Sequence, residues 1–180
     1  MRARHDFHPL AGLSDRLMTD NTARPPLHDG ESPPILSIQD IRVLVVDDSE
    51  YMLKLMREFL SILGLRSVAT VSNGDSALKV LARDEPHLVI TDLKMRPMSG
   101  LDFIAAVRAG KNIPNPTVPI VVVTGFADLK TVQQLTAAGA SGVLVKPVSL
   151  VALRERVLPL LPLLRELDAE PRPGSWAFQI

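Results

Sequence analysis

The stretch Arg42-Val-Leu-Val-Val-Asp-Asp48 opens on a β-branched apolar run and closes on two adjacent acids. A run this short and apolar, bounded by charge, suits a strand buried on both faces. Working forward, Ser49 supplies a helix N-cap. Met52, Leu55, Met56, Phe59, Leu60 and Leu63 then recur at three- and four-residue spacing until Gly64 ends the pattern. The same strand-then-helix unit returns four more times. Strands are expected over residues 67–71, 87–92, 119–124 and 142–146. Helices are expected around Ala77, Leu78 and Leu81, around Leu101, Ile104 and Val107, over residues 129–138 up to Gly139, and from about Ser149. Asn73-Gly74 reads as a turn, and His87 as the start of a strand. Five strand–helix units in strict alternation imply an α/β, doubly wound fold: a five-stranded parallel sheet with helices on both faces and right-handed crossovers.

Working backward from Arg42, the character changes. Residues 1–40 hold Pro9, Pro25, Pro26, Pro33 and Pro34, scattered charge and no sustained period. Such a segment buries too little apolar surface to offset its ordering entropy. It is expected to be a disordered Pro-rich arm, with at most a short amphipathic turn over residues 10–18. Residues 41–158 are the expected folded domain and residues 159–180 a C-terminal tail, in which Pro159 and Pro162 interrupt the last helix. Leu158, Leu160, Leu161, Leu163 and Leu164 suit a core or docked tail better than a dimer seam, and Trp176 stands alone.

Composition narrows the class. At 180 residues and 46% hydrophobic, the chain is long enough for one ordinary core. Twenty basic residues balance twenty acidic ones, so neither nucleic acid nor an anionic membrane is expected as main partner. The absence of cysteine excludes disulfides and thiolate metal sites. The charged N-terminus lacks the apolar segment of a signal peptide, and no apolar stretch is long enough to insert across a bilayer. A cytoplasmic protein is expected.

In an open parallel sheet, ligands bind outside the carboxyl ends of the strands. Those ends carry Asp47-Asp48, Asp92, Thr124-Gly125 and Lys146-Pro147. Three acids gathered at one edge repel one another unless a cation sits among them. All-oxygen ligation suits a hard ion such as Mg²⁺. The lysine and the threonine hydroxyl are then free to hold an anion. A metal, an ammonium and a hydroxyl around a carboxylate form a layout for phosphoryl transfer onto that carboxylate.

These residues resemble the receiver domain of two-component response regulators, of which the chemotaxis regulator is the simplest example. The likeness spans residues 41–158. It rests on Asp47-Asp48, on Asp92-Leu-Lys-Met-Arg-Pro-Met-Ser-Gly100, on Thr124-Gly125 and on Lys146-Pro147. It implies a flavodoxin-like sheet of strand order 2-1-3-4-5. Asp92 would be the phosphoacceptor. Mg²⁺ would be held by Asp48, Asp47, Asp92 and the backbone carbonyl of Lys94. Lys146 would pair with the phosphoryl group, Thr124 would hydrogen-bond it and Gly125 would offer a nearby N–H. The Lys146–Pro147 bond would be cis. Partners would be a sensor histidine kinase or histidine phosphotransfer protein and a downstream protein target.

The sequence also departs from the family pattern. The proline of the Met-Pro pair comes one place late, in Met95-Arg96-Pro97. Val143 stands where a rotating Tyr or Phe is usual, three residues before the lysine. Phe126 follows the Thr-Gly pair and, with Lys94, flanks the site. The loop over residues 112–119 is slightly long. With no second folded module in view, the expected function is a single-domain, phosphorylation-dependent binding switch, not an enzyme beyond its own phosphorylation and dephosphorylation. The alternative is a phosphorylation-independent binding module or phosphate sink. A haloacid-dehalogenase-type phosphatase is disfavoured, because Asp47-Asp48-Ser49 is not that family's Asp-x-Asp. No Gly-rich turn follows the first strand, which disfavours nucleotide binding.

Overall fold

The computed structural model describes residues 37–161. Most of the expected arm, and the expected tail beyond residue 161 with Trp176, lie outside them. A 3-10 turn, Ile38–Asp40, leads into β1 (Arg42–Val46), α1 (Glu50–Ile62), β2 (Ser67–Val71), α2 (Gly74–Asp84), β3 (Leu88–Asp92), α3 (Gly100–Arg108), β4 (Ile120–Thr124), α4 (Leu129–Ala137), β5 (Gly142–Val145), α5 (Leu150–Val157) and a closing 3-10 turn, Leu158–Leu160. The strands pair in parallel in the order β2-β1-β3-β4-β5, as expected.

Period-two alternation on the buried strands makes two cores from one sheet. Val43 and Val45 face one side, with Met56 and Leu60 of α1 and Leu153 and Val157 of α5. Leu44 and Val46 face the other, with Leu81 of α2, Phe103, Ile104 and Val107 of α3 and Leu135 of α4. Each fully buried aliphatic or aromatic side chain contributes about 1.5–3 kcal/mol. Packing reaches past both expected ends of the domain: Ile38, Leu160 and Leu161 join the α1–α5 side.

Each of the five α-helices among the described residues begins under a side-chain cap. Ser49, Asn73, Ser99, Asp128 and Ser149 each accept the N–H of the residue three positions on. These caps relieve the unpaired first-turn donors and fix where each helix leaves the sheet. Asn73-Gly74, expected as a free turn, is the cap and first residue of α2. Gly74 is bare because α2 starts against Met98: a Cβ there would stand 2.7 Å from the Met98 sulfur.

Two contacts lock the edge of the sheet opposite the carboxyl ends. His87 Nδ1 accepts the Arg42 N–H at 3.0 Å. The Arg108 guanidinium donates to the carbonyls of Pro116, Val118 and Gly139 at 2.6–3.1 Å, which ties the long α3–β4 loop to the turn before β5.

Candidate functional site

Strand order puts the switch point between β1 and β3. The chain leaves β1 into α1 on one face and leaves β3 into α3 on the other, so a crevice opens there. Register finishes the placement. Val46 lies beside Thr91, so Asp47 and Asp92 emerge side by side. Thr124 ends β4, and Lys146 follows β5, held by its N–H on the Thr124 carbonyl at 2.7 Å.

The structure joins three of the expected residues directly. Lys146 Nζ stands 2.7 Å from Asp92 Oδ1 and 3.2 Å from Asp47 Oδ2. Both carboxylates are buried, at 6% and 4% exposure. The backbone steadies their other oxygens: Lys94 N–H donates to Asp92 Oδ2 and Ser49 N–H to Asp47 Oδ1, both at 2.8 Å. Each is an acid bonded to the N–H two residues on, a local turn that Asp favours. Burial pushes the Asp47 carboxyl above its ordinary range, against the pull of the Ser49 N–H and Lys146. Burial alone would lower the Lys146 ammonium, but Asp92 and Asp47 together outweigh it and hold the lysine firmly protonated.

Other expected residues stand nearby without joining this triad. The Asp48 side chain is exposed. As the side chains stand, no three acids or histidines among the described residues gather as a metal cage. Thr124 is 1% exposed, and its hydroxyl is turned to its own loop: it donates to the Phe126 carbonyl at 2.9 Å and accepts the Phe126 N–H at 3.1 Å. The Phe126 ring is 66% exposed. Gly125 is exposed, and Val143 is half-buried on the α2–α4 side of the sheet. Lys146–Pro147 is cis, and so is Arg96–Pro97, where the proline is displaced.

Gly100 acquires a role that its place in the motif did not reveal. Its N–H donates to the Leu93 carbonyl at 2.9 Å, and a Cβ on it would run into the Asp92 carbonyl oxygen and stand 2.9 Å from Leu93 Cα. The signal available in sequence was a glycine opening a helix directly after a capping serine.

Comparison with known proteins identifies the family. Residues 43–158 match the response regulator receiver domain family. The probable chemotaxis protein CheY of Rhizobium etli is 29% identical over 119 residues, covering 66% of this chain and 91% of that protein. The chemotaxis protein CheY of Pseudomonas aeruginosa is 30% identical, covering 65% and 93%. Among solved structures, the chemotaxis response regulator CheY4 of Vibrio cholerae superimposes with a TM-score of 0.62 at 30% identity, over 67% of this chain and 98% of that one. The chain therefore belongs to the response regulator receiver domain family, and its function is that family's: a CheY-like, phosphoryl-accepting component of two-component signalling.

Proposed function

We propose that Asp92 is the phosphoacceptor and that phosphorylation changes which protein this chain binds. The observation that carries this reading is the contact of Lys146 with Asp92 at 2.7 Å inside a buried pair of acids. In the transfer, an Asp92 carboxylate oxygen attacks phosphorus on a phosphohistidine. The new O–P bond forms as the P–N bond breaks, and the imidazole leaves with the electron pair and takes up a proton. Lys146, already charged, pairs with the incoming phosphoryl oxygens. The Lys94 N–H keeps the other Asp92 oxygen in place. Attack of water on the phosphorus later restores the carboxylate.

Receivers of this family are generally Mg²⁺-dependent. Here the donors fit: the carboxylates of Asp47, Asp48 and Asp92 and the Lys94 carbonyl are the hard oxygens that Mg²⁺ prefers. Ligation asks Asp48 to turn inward. The ion would supply positive charge to the phosphoryl oxygens and offset the repulsion among the acids.

Family members interact with histidine kinases and phosphotransfer proteins, and we assign one of these as phosphodonor. A protein target then reads the phosphorylated state. Receivers of this type are generally signalling modules without enzymatic turnover, and we take self-phosphorylation and self-dephosphorylation as the whole of its catalysis. No helix among the described residues is long and apolar enough to cross a membrane. The family's role downstream of kinases supports a cytoplasmic place of action. The test is labelling by acetyl phosphate: it should require Mg²⁺ and vanish in Asp92→Asn. Labelling that survives that substitution rules the assignment out.

A further inference from the structure

A threonine hydroxyl has one proton to give. In this structure Thr124 gives it to the carbonyl of Phe126 and takes the N–H of the same residue, so one hydroxyl holds both polar groups of Phe126. Thr124 is also buried at the end of β4, one register place past the strand position paired with Asp92. A phosphoryl group on Asp92 would bring three strong acceptor oxygens to this edge of the sheet. An oxygen that captures the Thr124 proton takes the donor away from Phe126.

What Phe126 does next is constrained by its surroundings. It lies between β4 and the Asp128 cap of α4, in a linker of residues 125–128. Gly125 has nothing within 4 Å of where a Cβ would be, so no neighbour packs against the start of the linker on that side. The ring itself is largely in water, a costly place for a large apolar group. Beside it is an open cleft of about 390 Å³ between α4, β5 and α5, lined by Ala127, Val132, Thr136, Val143, Val145 and Arg156. Ala127, the very next residue, already forms part of its wall. The half-buried Val143 gives the cleft apolar surface, and Arg156, also in its lining, adds a cation of the kind that pairs with an aromatic ring.

We propose that Phe126 is the aromatic readout of this switch: when phosphoryl on Asp92 draws off the Thr124 hydroxyl, the released Phe126 ring leaves solvent and seats in the cleft over Val143. The inference rests on Asp92 being the phosphoacceptor. It makes Phe126 a positioning residue, since the ring touches neither the donor nor the reacting atoms.

The test uses the full chain carrying Phe126→Trp and Trp176→Phe, so that a single indole reports. Asp92 occupancy is set with Mg²⁺ and beryllofluoride, or with acetyl phosphate, and is followed on the intact protein by mass spectrometry. On occupancy the emission should shift to the blue and acrylamide quenching should fall. Both changes should be absent in a Thr124→Val background at equal occupancy. Fluorophenylalanine in the otherwise native chain, with the Phe126 resonance assigned by its loss in Phe126→Leu, gives the same reading without a new side chain. An occupied Asp92 with an unmoved Phe126 signal, or an equal shift in Thr124→Val, overturns the inference alone. Failure of Asp92 to be occupied at all overturns the phosphoacceptor reading and this one with it.

Discussion

Gly100 lies against the backbone of Asp92 so closely that a methyl group on its Cα would overlap the Asp92 carbonyl oxygen. Backbone cannot rotate away as a side chain can. Gly100→Ala should therefore push the β3–α3 loop off its path, destabilising the fold by about 1–3 kcal/mol in urea unfolding. Because the same loop carries the Lys94 N–H that steadies Asp92, acetyl phosphate labelling should fall as well. Wild-type labelling in a folded Gly100→Ala protein would show the contact to be irrelevant to the acceptor.

Asp47 is a carboxyl held above its ordinary 3.8 by burial. Its charge therefore works against folding once it ionises. Below the unfolded value both states hold the proton and nothing is lost; stability then drains away as pH rises through the higher folded value. Asp47→Asn keeps its one oxygen for the Ser49 N–H, sets an uncharged NH2 where Oδ2 meets Lys146, and so stands in for the neutral acid without the charge. Measured with chelator present, it should match wild type in acid and become more stable by about 1 kcal/mol at neutral pH. A gap that does not grow with pH would contradict this account.

His87 works in the opposite direction. Burial, helped by the Arg42 charge, lowers its pKa from 6.5, and its Nδ1 must stay unprotonated to accept the Arg42 N–H. The unfolded chain takes up the proton first, so the contribution is complete above 6.5 and is lost as pH falls below it. The thermal midpoint should drop as pH falls below 6.5 in wild type, and drop less in His87→Phe, which has no proton to bind. Parallel curves would remove His87 from the explanation.

Arg108 satisfies three backbone carbonyls at once. Truncation in Arg108→Ala strands these acceptors, with an expected loss of about 1–3 kcal/mol. Arg108→Lys should recover a minority of that, because a single ammonium cannot span carbonyls that a planar fork reaches together. Hydrogen exchange should rise first in residues 110–119, the loop that Arg108 ties down.

The sheet was legible because its signals are local. Each strand is a β-branched run, each helix has a polar cap, and acids at strand ends meet wherever parallel strands lie side by side. Asp47, Asp92 and Lys146 could thus be chosen without coordinates. The position of the Thr124 hydroxyl could not: it depends on a rotamer bonded to Phe126, and no spacing encodes that. Nor could Asn73 be recognised as a cap in place of a turn, since Asn-Gly suits both. The contacts of Gly74 with Met98, and of Arg108 with Gly139, join residues far apart in the chain and leave no pattern in either neighbourhood.

Asp47, Asp92, Thr124 and Lys146 each hang from a different strand, and the last of them comes after β5, near the end of the domain. A nascent chain still emerging from the ribosome has Asp92 long before it has Lys146. On the proposed assignment, phosphoryl-accepting competence should therefore arrive in one step, with the final strand, and a copy that stops short of Lys146 should take no label from acetyl phosphate.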